Sequence, residues 1–180
     1  MHPNIEIERK FLVTNDSYKQ LSTSHYTIQQ GYISKDPDRT VRVRIKTLAD
    51  GSASAYITIK SKPNEVGFSR FEWEKEIDVA DAKQLIQLCL PGVIEKTRWL
   101  IPCAHDTQDP TSNILTWEID EFHGRLEGRV IAELELQHEH QAFIKPDFIG
   151  EEVTGMPQYY NANMWFSYNG TRITDGALHL

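Results

Sequence analysis

Near the start of the chain, apolar and charged residues alternate. Ile5, Ile7, Phe11 and Val13 occupy one set of alternate positions, and Glu6, Glu8 and Lys10 the other. Successive side chains of a strand point to opposite faces, so this pattern predicts a strand with one packed face and one polar face. It recurs at Val41–Lys46, with Arg42, Arg44 and Lys46 opposite Val41, Val43 and Ile45, and in Tyr56–Lys60, which adds Lys60. In Phe71–Ile77, Glu72, Glu74 and Glu76 stand opposite Phe71, Trp73 and Ile77, and Lys96 aligns with Arg98 in the stretch 94–100. Glu118 and Asp120 oppose Leu115, Trp117 and Ile119, while Glu133 and Glu135 oppose Ala132, Leu134 and Leu136. A lone strand of this kind is a half-exposed strand with a solvated side. After the first, however, each charged face is committed mainly to one sign. Like charges two apart repel, and solubility alone does not require acids and bases to be sorted onto separate strands. A shared lumen with a cationic wall and an anionic wall does.

The remaining elements follow from local signals. Thr14 or Asn15 is placed to cap a short helix through Asp16 to Leu21. Tyr26–Ser34 is strand-like with Gly31 as a candidate bulge, and Asp36-Pro37-Asp38 and Ala49-Asp50-Gly51-Ser52 are turns. Pro63 to Gly67 forms a connection into a strand over Phe68–Val79. Ala80–Leu90 carries the apolar stripe Ala82, Leu85, Ile86, Leu88 and Cys89, stopped by Pro91-Gly92, which predicts a helix on the outside of the sheet. Strands are expected at Val93–Ile101, Ile114–Phe122 and Val130–Gln137, a loop at Pro146–Val153, and a helix from Met156 to about Tyr168 with Asn169-Gly170 as its stop. Eight alternating strands, with too few helices to cover both faces of an open sheet, predict a mainly β (α+β) fold. The strands close into an eight-stranded antiparallel barrel or tunnel, apolar faces outward and charges within. Such a lumen must be hydrated, cross-paired or filled by ions and ligand, because unpaired buried charge costs several kcal/mol per ion.

The 180 residues fit one domain spanning 1–180. A net charge of −7 argues against bulk electrostatic attraction to nucleic acid or anionic membrane. Only Cys89 and Cys103 occur, without a CxxC pair, and neither a signal peptide nor an apolar run of membrane-spanning length is present. The expectation is a cytoplasmic protein with no nucleic-acid or membrane partner. His105, His123, His138 and His140 lack a spacing that converges ligands, and Asn169-Gly170-Thr171 is a chance glycosylation sequon in a cytoplasmic chain.

Taken in order, Glu6-Ile-Glu8-Arg-Lys10, the RVRI of Arg42–Ile45, the SRFEWEKEI of Ser69–Ile77, the EKTRW of Glu95–Trp99, the WEIDEF of Trp117–Phe122 and the AELEL of Ala132–Leu136 form one series. With EEVTG at 151–155 and YYNA at 159–162, the series resembles the CYTH superfamily, the triphosphate tunnel metalloenzymes, over roughly residues 4–162. Within it, the chain is similar to short bacterial inorganic tripolyphosphatases, which cleave tripolyphosphate to pyrophosphate and phosphate. The resemblance implies a small-molecule triphosphate substrate, Mg²⁺ or Mn²⁺ as cofactor, and a homodimer. Lys10, Arg42, Arg44, Lys60, Lys96 and Arg98 would clamp the phosphates, since guanidinium forks and ammonium points suit nonbridging oxygens. Arg70 is a weaker candidate. Carboxylates suit hard divalent cations: Glu6, Glu8, Glu133 and Glu135 come first, then Glu72, Glu74, Glu118 and Asp120. Glu8, Glu135, Lys60 and Lys10 are the candidate catalytic residues. Glu76 and Lys46, near strand ends, are expected to be solvated.

Two enzymatic alternatives share this chemistry, a class IV adenylate cyclase and a thiamine or nucleoside triphosphatase. A tunnel open at both ends favours attack by water over attack by a ribose hydroxyl. A noncatalytic polyphosphate-binding module is the reading from another class, and the acidic wall counts against it because an anion needs only the basic half.

Overall fold

The computed structural model describes residues 4–36, 38–64, 69–103 and 115–164. The strands are β1 (Ile5–Val13), β2 (Ser24–Asp36), β3 (Arg39–Thr47), β4 (Ala53–Ser61), β5 (Ser69–Ile77), β6 (Ile94–Pro102), β7 (Thr116–Phe122), β8 (Val130–Glu135) and β9 (Ile149–Glu152). They form one antiparallel sheet in the order β5-β4-β3-β2-β6-β7-β8-β1-β9. Closure comes from β1. Its first residues pair with β5, Glu6 opposite Arg70, while Glu8 to Leu12 pair with β8. Eight strands therefore complete a barrel, and β9 hangs on the far end of β1 opposite Phe11 and Val13.

The outward faces carry the apolar side chains. Phe11, Trp117, Ile119, Ala132 and Leu134 are fully buried beneath α1 (Tyr18–Leu21) and the segment that includes Phe143 and Phe148. A second outer cluster of Val43, Ile45 and Ala55 is covered by Ala82 and Ile86 of α2 (Val79–Gln87). Asp78 caps α2, its carboxylate accepting from the Ala80 N–H at 2.7 Å.

Inside, the barrel is layered. Leu12, Ile94, Phe122 and Ile131 share strand faces with Lys10, Lys96, Asp120 and Glu133. They pack with Leu126 and with Met164 of α3 (Asn161–Met164) into an apolar plug. An apolar layer thus lies beside the charged layer of the lumen.

Other departures have local causes. The expected loop at 146–153 contains β9, a four-residue strand whose Ile-Gly-Glu-Glu sequence has no alternation to betray it. The expected helix from Met156 is interrupted: Pro157–Tyr159 makes a 3-10 turn, Tyr160 is extended, and α3 follows. Its continuation, the Asn169-Gly170 stop, the sequon and His105 lie outside the described residues. Asn15 does not cap α1; its Oδ1 accepts from the Ser17 N–H at 3.0 Å, and the helix begins only at Tyr18. The irregularity in β2 falls between Tyr32 and Ser34 rather than at Gly31. Gly31 serves close packing instead: a Cβ there would lie 2.7 Å from the Cys89 Sγ.

Candidate active site

Strand parity and barrel closure together put the charged faces around one space, a cavity of about 610 Å³ lined by seven carboxylates and eight cationic side chains. That volume holds roughly 20 waters at ~30 Å³ each, and falls in the range of ligand sites rather than packing defects. Carboxylates come from four contiguous strands: Glu118 from β7, Glu133 and Glu135 from β8, Glu6 and Glu8 from β1, and Glu72 and Glu74 from β5. The opposite arc supplies Lys60 from β4, Arg42 and Arg44 from β3 and Arg98 from β6, with uncharged Tyr26 and Tyr32 from the intervening β2. Lys10 and Arg70 are the cations set into the acidic arc.

Where the arcs meet, charges pair. Lys60 Nζ donates to Glu6 Oε1 at 2.7 Å and lies 2.6 Å from Glu72, and Arg70 Nε donates to the other Glu6 oxygen at 2.9 Å. Burial opposes ionisation of Glu6, but Lys60 and Arg70 overcome it and hold its carboxyl well below the usual range. Burial likewise works against Glu133, yet Lys10 and Arg98 keep it ionised far into acid. Burial disfavours the Glu74 carboxylate too, but Arg44 lowers it, helped by a 2.6 Å bond from the Thr58 hydroxyl.

Glu8 and Glu135 behave differently. They face each other directly across the β1–β8 ladder. Burial and then the Glu133 charge raise Glu8, which shares Lys10 with Glu133 at 2.5 Å. Glu135 is open to the cavity solvent but walled by protein; that partial desolvation, with Glu6, Glu118, Glu72 and Glu8 nearby, pushes it up to about 7.

The arginines differ in what they have left to give. Among the described residues, Arg42 hydrogen-bonds Thr58 and Glu74 and Arg44 hydrogen-bonds Glu74, each through Nη2 alone at 3.0–3.4 Å, and both Nε–H groups are buried without a hydrogen-bond partner. Arg98 is saturated. Its Nε and Nη2 grip Asp120 at 2.7 Å each, Nη2 also reaches Glu133 at 2.7 Å, and Nη1 binds Glu118.

The structure thus brings Glu6, Glu8, Lys10, Arg42, Arg44, Lys60, Glu72, Glu74, Arg98, Glu118, Glu133 and Glu135 to one cavity. Lys96 and Asp120 are not in its lining: they form a buried pair behind it, 2% and 0% exposed. Burial pulls the Lys96 ammonium down to about 8 even with Asp120 against it. Sequence reasoning undervalued Arg70, although it lies two residues from Glu72 on the same face. It also missed Tyr26, Tyr32, Lys35 and Lys62, and Asn161 and Asn163 from α3, whose inward direction depends on the barrel wall. Glu76 is exposed and Lys46 sits over the Tyr26 ring at 4.0 Å; neither lines the cavity. His138 and His140 are exposed.

Among the described residues, no three His, Cys, Asp or Glu side chains already converge as a metal cage. The donor set nonetheless fits a hard divalent cation, because Glu8 and Glu135 are carboxylates crowded by like charge, Glu8 shares its lysine with Glu133, and Glu135 has no ion-pair partner among the described residues.

A CYTH domain model matches residues 4–161. An inorganic triphosphatase of Acetivibrio thermocellus is 43% identical over 160 residues, covering 88% of this chain and 92% of that protein. An inorganic triphosphatase of Nitrosomonas europaea is 33% identical over 158 residues, covering 87% and 93%. A crystal structure of an inorganic triphosphatase superposes with a TM-score of 0.56 at 29% identity, covering 89% of this chain and 93% of that one.

Proposed function

The chain belongs to the CYTH domain family, and from that premise we propose that it is an inorganic triphosphatase hydrolysing tripolyphosphate to pyrophosphate and phosphate. The observation that carries this reading is the barrel cavity in which an acidic arc faces arginines whose Nη1 groups make no hydrogen bond among the described residues. A simple anion receptor has no use for seven carboxylates; a phosphoanhydride hydrolase does, because it needs a cation as well as an anion in one place.

Arg42 and Arg44 line the cavity with Nη1 groups that make no hydrogen bond among the described residues, donors suited to nonbridging phosphate oxygens, and Lys60 beside the acidic arc and Lys10 within it add point charges. Glu8, Glu135, Glu6 and Glu133, with Glu72, Glu74 and Glu118 beside them, would hold Mg²⁺ or Mn²⁺. A bound divalent ion supplies charge neutralisation on the phosphate and a more acidic water. Glu135, crowded by neighbouring acids and facing the cavity, can take a proton at an oxygen not engaged by the cation as water attacks the terminal phosphorus. Lys60 and Lys10 steady the charge that develops on the departing pyrophosphate.

The same reading includes residence in the cytoplasm, supported by two free cysteines, and a homodimer, supported by the uncovered outer strip Ile5, Phe71, Trp73 and Ile59. No helix among the described residues is long and apolar enough to cross a membrane. Phosphate release from tripolyphosphate, ATP and thiamine triphosphate with Mg²⁺ or Mn²⁺ tests the activity. Tripolyphosphate is expected to give the highest kcat/KM; cyclic AMP formed from ATP as the main product would refute the assignment.

A further inference from the structure

We infer that Thr58, a hydroxyl in the barrel wall, is a positioning residue that keeps Arg42 available to the anion by standing between it and Glu74. That role rests on the triphosphatase reading and deepens it with a residue that touches no ligand. Thr58 is fully buried and is not among the residues that line the cavity. Arg42, Thr58 and Glu74 form one cross-strand row, directly opposite one another in β3, β4 and β5. A hydroxyl can both give one proton and accept, while a guanidinium only donates and a carboxylate only accepts. The direction of the relay is therefore fixed. Arg42 Nη2 donates to Thr58 Oγ1 at 3.1 Å, and Thr58 Oγ1 donates to Glu74 Oε2 at 2.6 Å.

The bond from Thr58 to Glu74 has the length of a charge-assisted hydroxyl–carboxylate bond. The direct approach of Arg42 Nη2 to Glu74, at 3.4 Å, is longer than the roughly 2.7–2.9 Å of a charge-assisted guanidinium bond. Neighbouring strands lie about 4.8 Å apart, so two strand spacings separate the backbones of Arg42 and Glu74 by roughly 10 Å. The short side chain of Thr58 lets the two long ones approach over β4 without closing on each other. The next row shows the alternative: Lys60 stands opposite Glu72 and closes on it at 2.6 Å. Without the hydroxyl, Glu74 loses its closest donor among the described residues, and Arg42 needs only a small movement to replace it. A closed Arg42–Glu74 pair must then be opened before Arg42 meets phosphate. With the hydroxyl in place, Arg42 is oriented through Nη2, and its Nη1 makes no hydrogen bond among the described residues.

Thr58→Val keeps the branched shape and removes the hydroxyl, whereas Thr58→Ser keeps the hydroxyl and removes the methyl group. With Mg²⁺, Thr58→Val is expected to raise KM for tripolyphosphate about tenfold, as for one lost hydrogen bond to a charged group, with kcat within about twofold. Thr58→Ser should hold KM within about twofold of the wild type, whatever its melting temperature. A KM left unchanged by Thr58→Val, or raised equally by both substitutions, would make Thr58 a packing residue and overturn the inference. Should Thr58→Val not fold, Thr58→Ala stands in for it against Thr58→Ser with the same expectation. If the wild-type protein binds tripolyphosphate but leaves it whole, the triphosphatase reading falls alone. The ratio of Kd values for metal-free tripolyphosphate, measured by calorimetry on the same variants, then decides the role of Thr58. If the wild-type protein does not bind tripolyphosphate at all, both fall.

Discussion

Glu8 and Glu135 stand directly opposite each other in the β1–β8 ladder, two carboxylates where a stable sheet would place opposite charges. Like charges so placed destabilise a sheet by roughly 0.2–1 kcal/mol, and burial plus neighbouring acids carry the Glu135 carboxyl up to about 7. Glu8→Gln and Glu135→Gln should therefore each leave the melting temperature unchanged or slightly higher. Turnover should fall on the order of a hundredfold or more, as for loss of a charged group at the reacting centre. Thermal denaturation beside phosphate release checks the pair; an unfolded glutamine variant would make these carboxylates structural.

Arg44→Ala should act mainly on binding. It removes a charge-assisted partner worth about 1.5–3 kcal/mol, which corresponds to a KM for tripolyphosphate higher by roughly 10–100-fold, with a smaller change in kcat. Steady-state kinetics tests this. An unchanged KM would show that Arg44 meets no phosphate.

Gly31→Ala should destabilise the fold although the site is left intact. The new Cβ would stand 2.7 Å from the Cys89 Sγ and 2.8 Å from its Cβ, so β2 and the segment just past α2 must separate. Overpacking of this kind costs about 1–3 kcal/mol. Pairing it with Cys89→Gly should recover part of the loss in urea denaturation, because both clashing atoms are gone.

The Arg9–Glu152 pair, at 2.5 and 2.6 Å, ties β9 to β1 and gives acid sensitivity of known sign. The hydrogen bond from Arg9 lowers the folded-state carboxyl below its ordinary 4.5. Its stabilisation is present above about pH 4.5 and is lost as the pH falls through the lower folded value. Both side chains are a quarter or more exposed, so the contribution is about 0.2–1 kcal/mol after screening. Glu152→Gln should lower stability at pH 7 by that amount and flatten its dependence below pH 4.5, as measured by denaturation at several pH values.

Period-two alternation made the faces of most strands legible, and with them the inward placement of Glu6, Arg44 or Glu135. The helix that covers β3 and β4 was equally plain from its apolar stripe and its Pro-Gly stop. What alternation cannot convey is depth along the barrel. Lys96 and Arg98 have the same parity, yet one is buried behind the cavity and the other lines it, because the stagger between β6 and β7 sets Asp120 between them. The plug escaped for a related reason. Leu12, Ile94, Phe122 and Ile131 occupy charged-face positions but are apolar, and only closure of the sheet shows that they meet at one end with Met164. The short β9, lacking any alternation, was recognisable only through its bond to β1.

The most direct test of the central claim follows tripolyphosphate by phosphorus NMR in the presence of the protein and Mg²⁺ or Mn²⁺. Pyrophosphate and phosphate should appear in equal amounts, and their appearance should stop on chelation and be absent with Glu135→Gln. Tripolyphosphate that binds and stays whole with either metal present would contradict the account.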